Sequence, residues 1–415
     1  MPSGGRLLVA IGGGIAAYKV CEVISGVFQS GYQVKVVLSQ SALKFITPLS
    51  VATLSRNPAY TDDLFWSADN SRPLHIELAQ WAQLILIAPM TANTLAKLTH
   101  GFADNLLTNT ILASDCPVLA APAMNTLMWQ QISLQRNWQM LQEDPRYHSV
   151  GPSSGRLACD AVGAGRMAEP ESIIAAIESL FLSGGKRDLV GKSVLVTAGG
   201  TREYLDRVRY LGNPSTGRMG IALATAAHYR GAQVTLIGSN LEKERLICLP
   251  EISTFSADSS QEMLEIILEQ FSRIEWLFMV AAVGDVKPAN YYGYKLAKRE
   301  IPKHLELEPV VDILQALSQH KTVRQTIIGF AAQSGDILTP ARQKLERKQL
   351  DVILANPIDQ IGAGFGSENN QGIILDSKGR KKTIESCSKL ELANILLDFV
   401  QEYVDLSVGE NARSL

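Results

Sequence analysis

The stretch AIGGGIAAYK, residues 10–19, places three glycines directly after the apolar run LLV. A glycine turn between a strand and a helix aims backbone N–H groups at one point beyond the helix start, a phosphate-binding arrangement. Gly12, Gly14 and Ala17 also satisfy the dinucleotide pattern G-x-G-x-x-A. A dinucleotide would further need an acidic residue at the end of the second strand, to hold the ribose. That strand ends VVLSQSA, and Ser39, Gln40 and Ser41 offer hydrogen bonds but no charge. A single phosphate, as in FMN, therefore suits the turn better than NAD. Taken alone, the turn is equally well explained by close packing of helix on strand.

Other residues with chemical potential follow apolar runs. APMTANTLAKL sets Thr91, Asn93 and Thr94 just after a strand, and APAMNTLMW does the same for Asn125. Ligands of open α/β sheets bind at the carboxyl ends of strands. Thr and Asn are also common helix caps, which is the plainer reading. His75 stands at the start of HIELAQWA, and Cys159 sits in the glycine-rich GRLACDAVGAGRM. A lone histidine is more often structural, and a lone cysteine more often inert. In the second half, TAGGT and STGRMG are further glycine turns. Lys344 and Lys348, four residues apart on TPARQKLERKQ, can reach one phosphate chain together, although a solvated helix face is the commoner meaning of such a pair.

The elements that must position these residues form a repeating pattern. LLVAI, QVKVVLS, QLILIAP and PVLAAPA are continuous apolar runs, as in parallel strands covered on both faces, with helical stretches between them. The rhythm breaks at LFLSGGKRDLVGK and restarts with SVLVTAGGT, AQVTLIGS, WLFMVAAVGD, TIIGFAAQSG and LDVILANP. The expectation is an α/β protein of two tandem Rossmann-like domains, residues 1–188 and 189–415. A chain of 415 residues with net charge −2, 46% hydrophobic, is expected to be an ordinary soluble protein with no nucleic-acid or membrane surface. Five scattered cysteines without a C-x-x-C pair signal neither a disulfide framework nor a zinc site and fit a cytoplasmic setting. No secretory leader and no bilayer-spanning run are expected.

Taken together and in order, GGIAAYK, FITPLS, HIELAQWA, TANTLAKL, PAMN and the AC…GRM segment resemble the flavin-dependent cysteine decarboxylases. With TAGGTRE, VRYLGNPSTGRMG, AAVGD and GFAA added, nearly the whole chain resembles the bifunctional flavoproteins of coenzyme A synthesis. In these, phosphopantothenoylcysteine decarboxylase is fused to phosphopantothenate–cysteine ligase. The resemblance implies a flavodoxin-like decarboxylase sheet followed by a CTP-dependent ligase domain. It implies FMN held by Gly13, Gly14, Ile15, Ser39, Gln40 and Ser41 at the phosphate, with Thr91, Ala92, Asn93, Thr94 and Ala123 along the flavin. In that chemistry the substrate thiol is oxidised to a thioaldehyde, carbon dioxide leaves, and the enethiol is reduced. His75 would be the general base, Asn125 would bind the carboxylate, and Cys159 would donate a proton from a mobile flap to which Gly163 and Gly165 lend flexibility. Asp160 stands where the family usually has Gly, a charge expected to favour the protonated thiol. Gly12 stands where it has Ser.

For the ligase half the resemblance implies an acyl-cytidylate made from CTP and 4′-phosphopantothenate, then attack by cysteine, with Mg²⁺ as a further cofactor whose ligands are unknown. Arg209, Asn213 and Lys295 would act in catalysis, and Asp285, Lys295, Phe330, Lys344 and Lys348 would bind CTP. This half departs more: PVVDI (Pro309 to Ile313) lacks a Lys and an Asn, Gln333 replaces a Glu, and Arg218 replaces a Lys. A decarboxylase with a degenerate ligase domain kept for assembly is the alternative. Family members also imply a homo-oligomer, a dodecamer of decarboxylase trimers and ligase dimers, with small molecules as the other partners.

Overall fold

The computed structural model describes residues 4–413 apart from 159, 243–245, 247, 248, 251, 360–366 and 368, and only the backbone of 408–413. It divides into two compact units, Met1–Arg187 and Asp188–Leu415.

The first unit is built on a parallel six-stranded sheet: β1 (Arg6–Ile11), β2 (Gln33–Leu38), β3 (Ala59–Tyr60), β4 (Leu84–Met90), β5 (Val118–Pro122) and β6 (Tyr147–Ser149), in the order β3-β2-β1-β4-β5-β6. β3 is a two-residue edge strand. Without it the remaining five, renumbered, run 2-1-3-4-5, the flavodoxin order expected for this half. The apolar runs are continuous because the strands are covered on both faces. All seven residues of β4 are buried, as are Leu7 to Ile11. The helix Ala17–Gln29 follows the first glycine turn, and Gly31, at φ +90°, lets the chain reverse into β2. Beyond β6 an antiparallel hairpin, β7 (Ser153–Arg156) with β8 (Val162–Arg166), stands apart from the main sheet.

The second unit carries an eight-stranded sheet: β9 (Ser193–Gly199), β12 (Gln233–Ser239), β13 (Ser253–Ser256), β14 (Trp276–Met279), β17 (Thr326–Gln333), β18 (Val352–Pro357), β19 (Asn369–Asp376) and β20 (Lys381–Ser388). The order is β13-β12-β9-β14-β17-β18-β19-β20. Pairing is parallel up to β18 and antiparallel for β18–β19–β20. Two short ribbons lie outside it, β10 (Arg202–Tyr204) with β11 (Tyr210–Gly212), and β15 (Val286–Pro288) with β16 (Leu307–Pro309). The helix Lys389–Arg413 packs Leu392, Leu396 and Val400 against Leu223 and Ala227 of the helix Arg218–Tyr229. Arg230, 1% exposed, closes this layer by pairing with Asp188 at 2.6 Å and Asp398 at 2.9 Å. Among the described residues no helix is long and apolar enough to cross a membrane.

Candidate functional site

Each sheet presents its carboxyl-end loops to a cavity within its own unit. In the first unit the walls come from the β1 turn, the ends of β4 and β5, and the β7–β8 hairpin, around a volume of about 670 Å³. That is the range of a site for a medium-sized organic ligand. Gly13, Gly14, Ile15, Thr91, Ala92, Ala123 and Asn125 line it together. Ser39, Gln40, Ser41, Asn93, Thr94 and His75 are not part of its wall.

The first two glycines of the turn answer to packing. A Cβ on Gly12 would lie 2.4 Å from the Pro89 carbonyl oxygen, and one on Gly13 would lie 2.2 Å from Ser41 Cβ. Gly14 differs, since its nearest neighbour would be Thr91 Cγ2 at 3.7 Å. The helix Ala17–Gln29 that follows has no side-chain cap, and Ala16, Tyr18 and Lys19 at its start line the cavity, although Ala17 N and Lys19 N already donate to the Gly14 and Ala16 carbonyls. A helix start at the wall, an uncrowded glycine and a cavity of this size fit a phosphate-bearing cofactor.

Thr91 and Asn125 at the rim cap helices as well. Thr91 Oγ1 accepts from Thr94 N at 3.3 Å, and Asn125 Oδ1 accepts from Leu127 N at 2.8 Å. Ser39 Oγ donates to Ile11 O at 3.1 Å. His75 faces Phe65 edge-on at 5.4 Å, and its Nδ1 is buried without a hydrogen-bond partner among the described residues.

The β7–β8 hairpin corrects one expectation. Gly163 and Gly165 serve close approach rather than flexibility. A Cβ on Gly165 would sit 2.4 Å from Met124 O, and one on Gly163 2.7 Å from Thr126 Cγ2. Met124 N donates to Gly165 O at 2.8 Å, stitching the hairpin to the Asn125 turn. Asp160 has φ +64°, the left-handed region, which accounts for the glycine usual there and which aspartate tolerates. Its carboxylate pairs with Arg156 at 2.6 Å, both side chains exposed. Cys159 itself lies outside the described residues.

Sequence reasoning missed one network. Glu169 accepts from Lys19 at 2.8 Å and pairs with Arg166 at 2.6 Å, and both cations line the cavity. The Arg of GRM was the available signal, but Lys19, the other cation on Glu169, sits on the first helix, far away in sequence.

In the second unit the turn after β9 and the start of the helix Arg218–Tyr229 form a cleft of about 130 Å³ with Ala281, Ala282 and Phe330. A depression of about 440 Å³ adjoins it through shared Ser215 and Thr216 and holds Arg202 and Asn213. Asn213 Nδ2 donates to Val283 O at 3.1 Å and to Ala282 O at 3.4 Å, fixing the AAVGD loop. Lys344 Nζ donates to Phe330 O at 2.8 Å. Burial pushes the Lys344 ammonium below its ordinary range, and the Asp285 carboxylate opposes that shift. Lys348 instead pairs with Asp312, so the two amines hold different partners. Asp312, within PVVDI, also caps the next helix by accepting from Gln315 N at 3.1 Å. Arg209 is tied to Asp206, and Lys295 is exposed.

The Flavoprotein family model matches residues 1–182, and the model of the DNA/pantothenate metabolism flavoprotein C-terminal domain matches 189–404. A coenzyme A biosynthesis bifunctional protein CoaBC of Bacillus subtilis (strain 168) is 40% identical over 409 residues, 99% of this chain and 99% of its own length. The chain belongs to the family of CoaBC bifunctional proteins. The CoaBC protein of Vibrio vulnificus (strain CMCP6) is 38% identical over 96% of this chain and 98% of its own. A crystal structure of the C-terminal domain of a CoaBC protein matches with 30% identity and a TM-score of 0.44, covering 53% of this chain and 99% of that one. Within the family frame Arg218 lines the cleft, whereas Gln333 ends β17 beside it, its carbonyl taken by Ile358 N at 3.0 Å.

Proposed function

We propose that this chain makes 4′-phosphopantetheine for coenzyme A synthesis in two steps, ligation in the second unit and decarboxylation in the first. The observation that carries the reading is the end-to-end match to bifunctional relatives, with both units represented.

In the ligase step the carboxylate of 4′-phosphopantothenate attacks the α-phosphorus of CTP. Pyrophosphate leaves, and the amine of cysteine then attacks the acyl-cytidylate and expels CMP. The turn at Gly199 and the uncapped start of the helix Arg218–Tyr229 offer N–H groups to phosphate, with Phe330 beside them. Lys344, Lys348 and Asp285 complete the CTP site. Asn213 holds the intermediate through the loop it braces, and Lys295 serves the addition of cysteine. Magnesium enters with the nucleotide. Among the described residues no group of three or more His, Cys, Asp or Glu side chains is placed to hold a resident ion.

In the decarboxylase step FMN, when bound, supplies reversible two-electron redox chemistry at the thiol-bearing carbon of phosphopantothenoylcysteine. The helix start and Gly14 receive its phosphate, with Gly13 holding the turn against Ser41; Ser39 braces the loop through the Ile11 carbonyl, and Ser39, Gln40 and Ser41 offer the phosphate further hydrogen bonds. Ile15, Thr91, Ala92 and Ala123 line the ring's place, with Asn93 and Thr94 behind them. Asn125 donates to the substrate carboxylate without repelling it. His75 takes the proton, and Cys159 returns one to the enethiol. His75 stands off the cavity of its own chain, which supports supply of this residue by a neighbouring copy. The assembly in this reading is a cytoplasmic homo-oligomer of decarboxylase trimers and ligase dimers, a dodecamer.

The test is incubation of the purified chain with FMN, Mg²⁺, 4′-phosphopantothenate, cysteine and CTP. Release of pyrophosphate and carbon dioxide with formation of 4′-phosphopantetheine is expected. Decarboxylation of added phosphopantothenoylcysteine without any pyrophosphate release would instead mean a ligase unit kept for assembly.

A further inference from the structure

Asp206 lies in the loop joining β10 to β11, and its side chain is fully buried. A carboxylate in such a place needs every lone pair engaged. Oδ1 accepts from the backbone N–H groups of Val208 at 2.8 Å and Arg209 at 2.7 Å. Oδ2 accepts from the Arg209 guanidinium and, at 3.2 Å, from the backbone N–H of Leu296.

The last bond is the informative one, because Leu296 is remote in sequence and follows Lys295. From 289 to 300 Leu296 is the one buried residue, 2% exposed, in a segment otherwise exposed or half-buried. Its carbonyl is held too, accepting from Arg209 Nη1 at 3.2 Å. Both backbone polar groups of Leu296 are thus consumed by one buried ion pair. A second stitch lies nearby, where Tyr292 N donates to Leu205 O at 2.9 Å. The loop that carries the exposed lysine is thus pinned at Tyr292 and, immediately beside the lysine, at Leu296.

We propose that Asp206 is the positioning residue for Lys295: it fixes Leu296 directly and through Arg209, and so sets the place from which Lys295 acts when cysteine adds to the acyl-cytidylate. The inference rests on the ligase reading above and on the role given there to Lys295. Asparagine cannot replace Asp206 in this task. One amide oxygen could still accept from Val208 and Arg209, but the NH₂ group would face the Leu296 N–H and the guanidinium, donor against donor.

The experiment uses the full chain in two arms. Amide hydrogen exchange without substrates follows Leu296 in wild type, Asp206→Asn and Lys295→Gln. Asp206→Asn should raise exchange at Leu296 by about tenfold or more, and Lys295→Gln should leave it unchanged. Kinetics then separate pyrophosphate release without cysteine from amide formation with it. Asp206→Asn should lower kcat for amide formation by about tenfold or more while pyrophosphate release stays within about twofold. Asp206→Asn combined with Lys295→Gln should be no slower than Lys295→Gln alone. Should Asp206→Asn not accumulate as folded protein, Asp206→Glu, which keeps the charge but moves the carboxylate off the Leu296 N–H, should show the same split. Unchanged exchange at Leu296, equal loss of both half-reactions, or a double variant slowed by the product of the single effects would overturn the proposal while the ligase reading stands. A wild type that releases no pyrophosphate would overturn that reading, and this one with it.

Discussion

Lys344 spans from the helix Leu338–Arg347 to the end of β17 and donates from Nζ to the carbonyl of Phe330 over 2.8 Å. A half-buried ammonium held by one carbonyl and drawn only by the Asp285 carboxylate is under-solvated, and a nucleotide phosphate at the adjoining cleft would add counter-charge. Lys344→Met removes both the charge and its burial cost. Stability should change by less than about 1 kcal/mol, whereas CTP-dependent pyrophosphate release should fall by about tenfold or more. Thermal unfolding and pyrophosphate assays on the same preparation check this. Unaltered pyrophosphate release would mean that Lys344 only braces the strand.

The turn glycines should separate by packing. Gly13→Ala drives a methyl group into Ser41 and should cost about 1–3 kcal/mol, with loss of retained flavin. Gly14→Ala has room and should leave the unfolding temperature close to that of wild type. Flavin absorbance and thermal melts of both variants decide. Equal stability of the two would remove the packing account of Gly13.

Much of this was readable in the residues, for identifiable reasons. Parallel strands covered on both faces must be continuously apolar, so β1 and β4 announced themselves as LLVAI and QLILIAP. Glycine turns at strand ends were equally visible, but their purpose was not. The approach of Met124 O to Gly165 and of Thr126 to Gly163 shows contacts where flexibility was expected. The Arg166–Glu169–Lys19 chain and the Asp206–Leu296 bond join elements far apart in sequence, and no local periodicity encodes such pairs. The β19–β20 hairpin was not foreseen, because the antiparallel run follows parallel βα units without a change of rhythm.

If a neighbouring copy supplies His75, two inactive variants should rescue each other. His75→Asn and Asn125→Ala should each lower decarboxylation by about a hundredfold or more. Co-expressed in equal amounts, they should assemble so that about a quarter of the intersubunit sites keep both native residues, and activity should return to about that level. Activity of the mixture no higher than that of either variant would place both residues in one chain's site.

Asp206 also gives a pH signature. Burial pushes its carboxyl up, but the N–H groups of Arg209, Val208 and Leu296 and the Arg209 guanidinium outweigh this and hold it at about 2, against an ordinary 3.8. A depressed carboxyl contributes stability that is fully present above its unfolded value and is lost as pH falls from 3.8 toward about 2. The stability gap between wild type and Asp206→Asn, read from denaturant unfolding of the second unit in the full chain, should be constant above about pH 5 and narrow below it. A gap that does not change down to about pH 2.5 would contradict the hydrogen bonding described for Asp206.

The central claim is that one chain performs both steps. Its most direct measurement is a single reaction of purified chain, FMN, Mg²⁺, CTP, 4′-phosphopantothenate and carboxyl-labelled cysteine, following pyrophosphate and labelled carbon dioxide together. The account predicts that both appear, that omission of CTP abolishes both, and that His75→Asn abolishes only the labelled carbon dioxide. Labelled carbon dioxide from added phosphopantothenoylcysteine, with no pyrophosphate from the complete mixture, would contradict it.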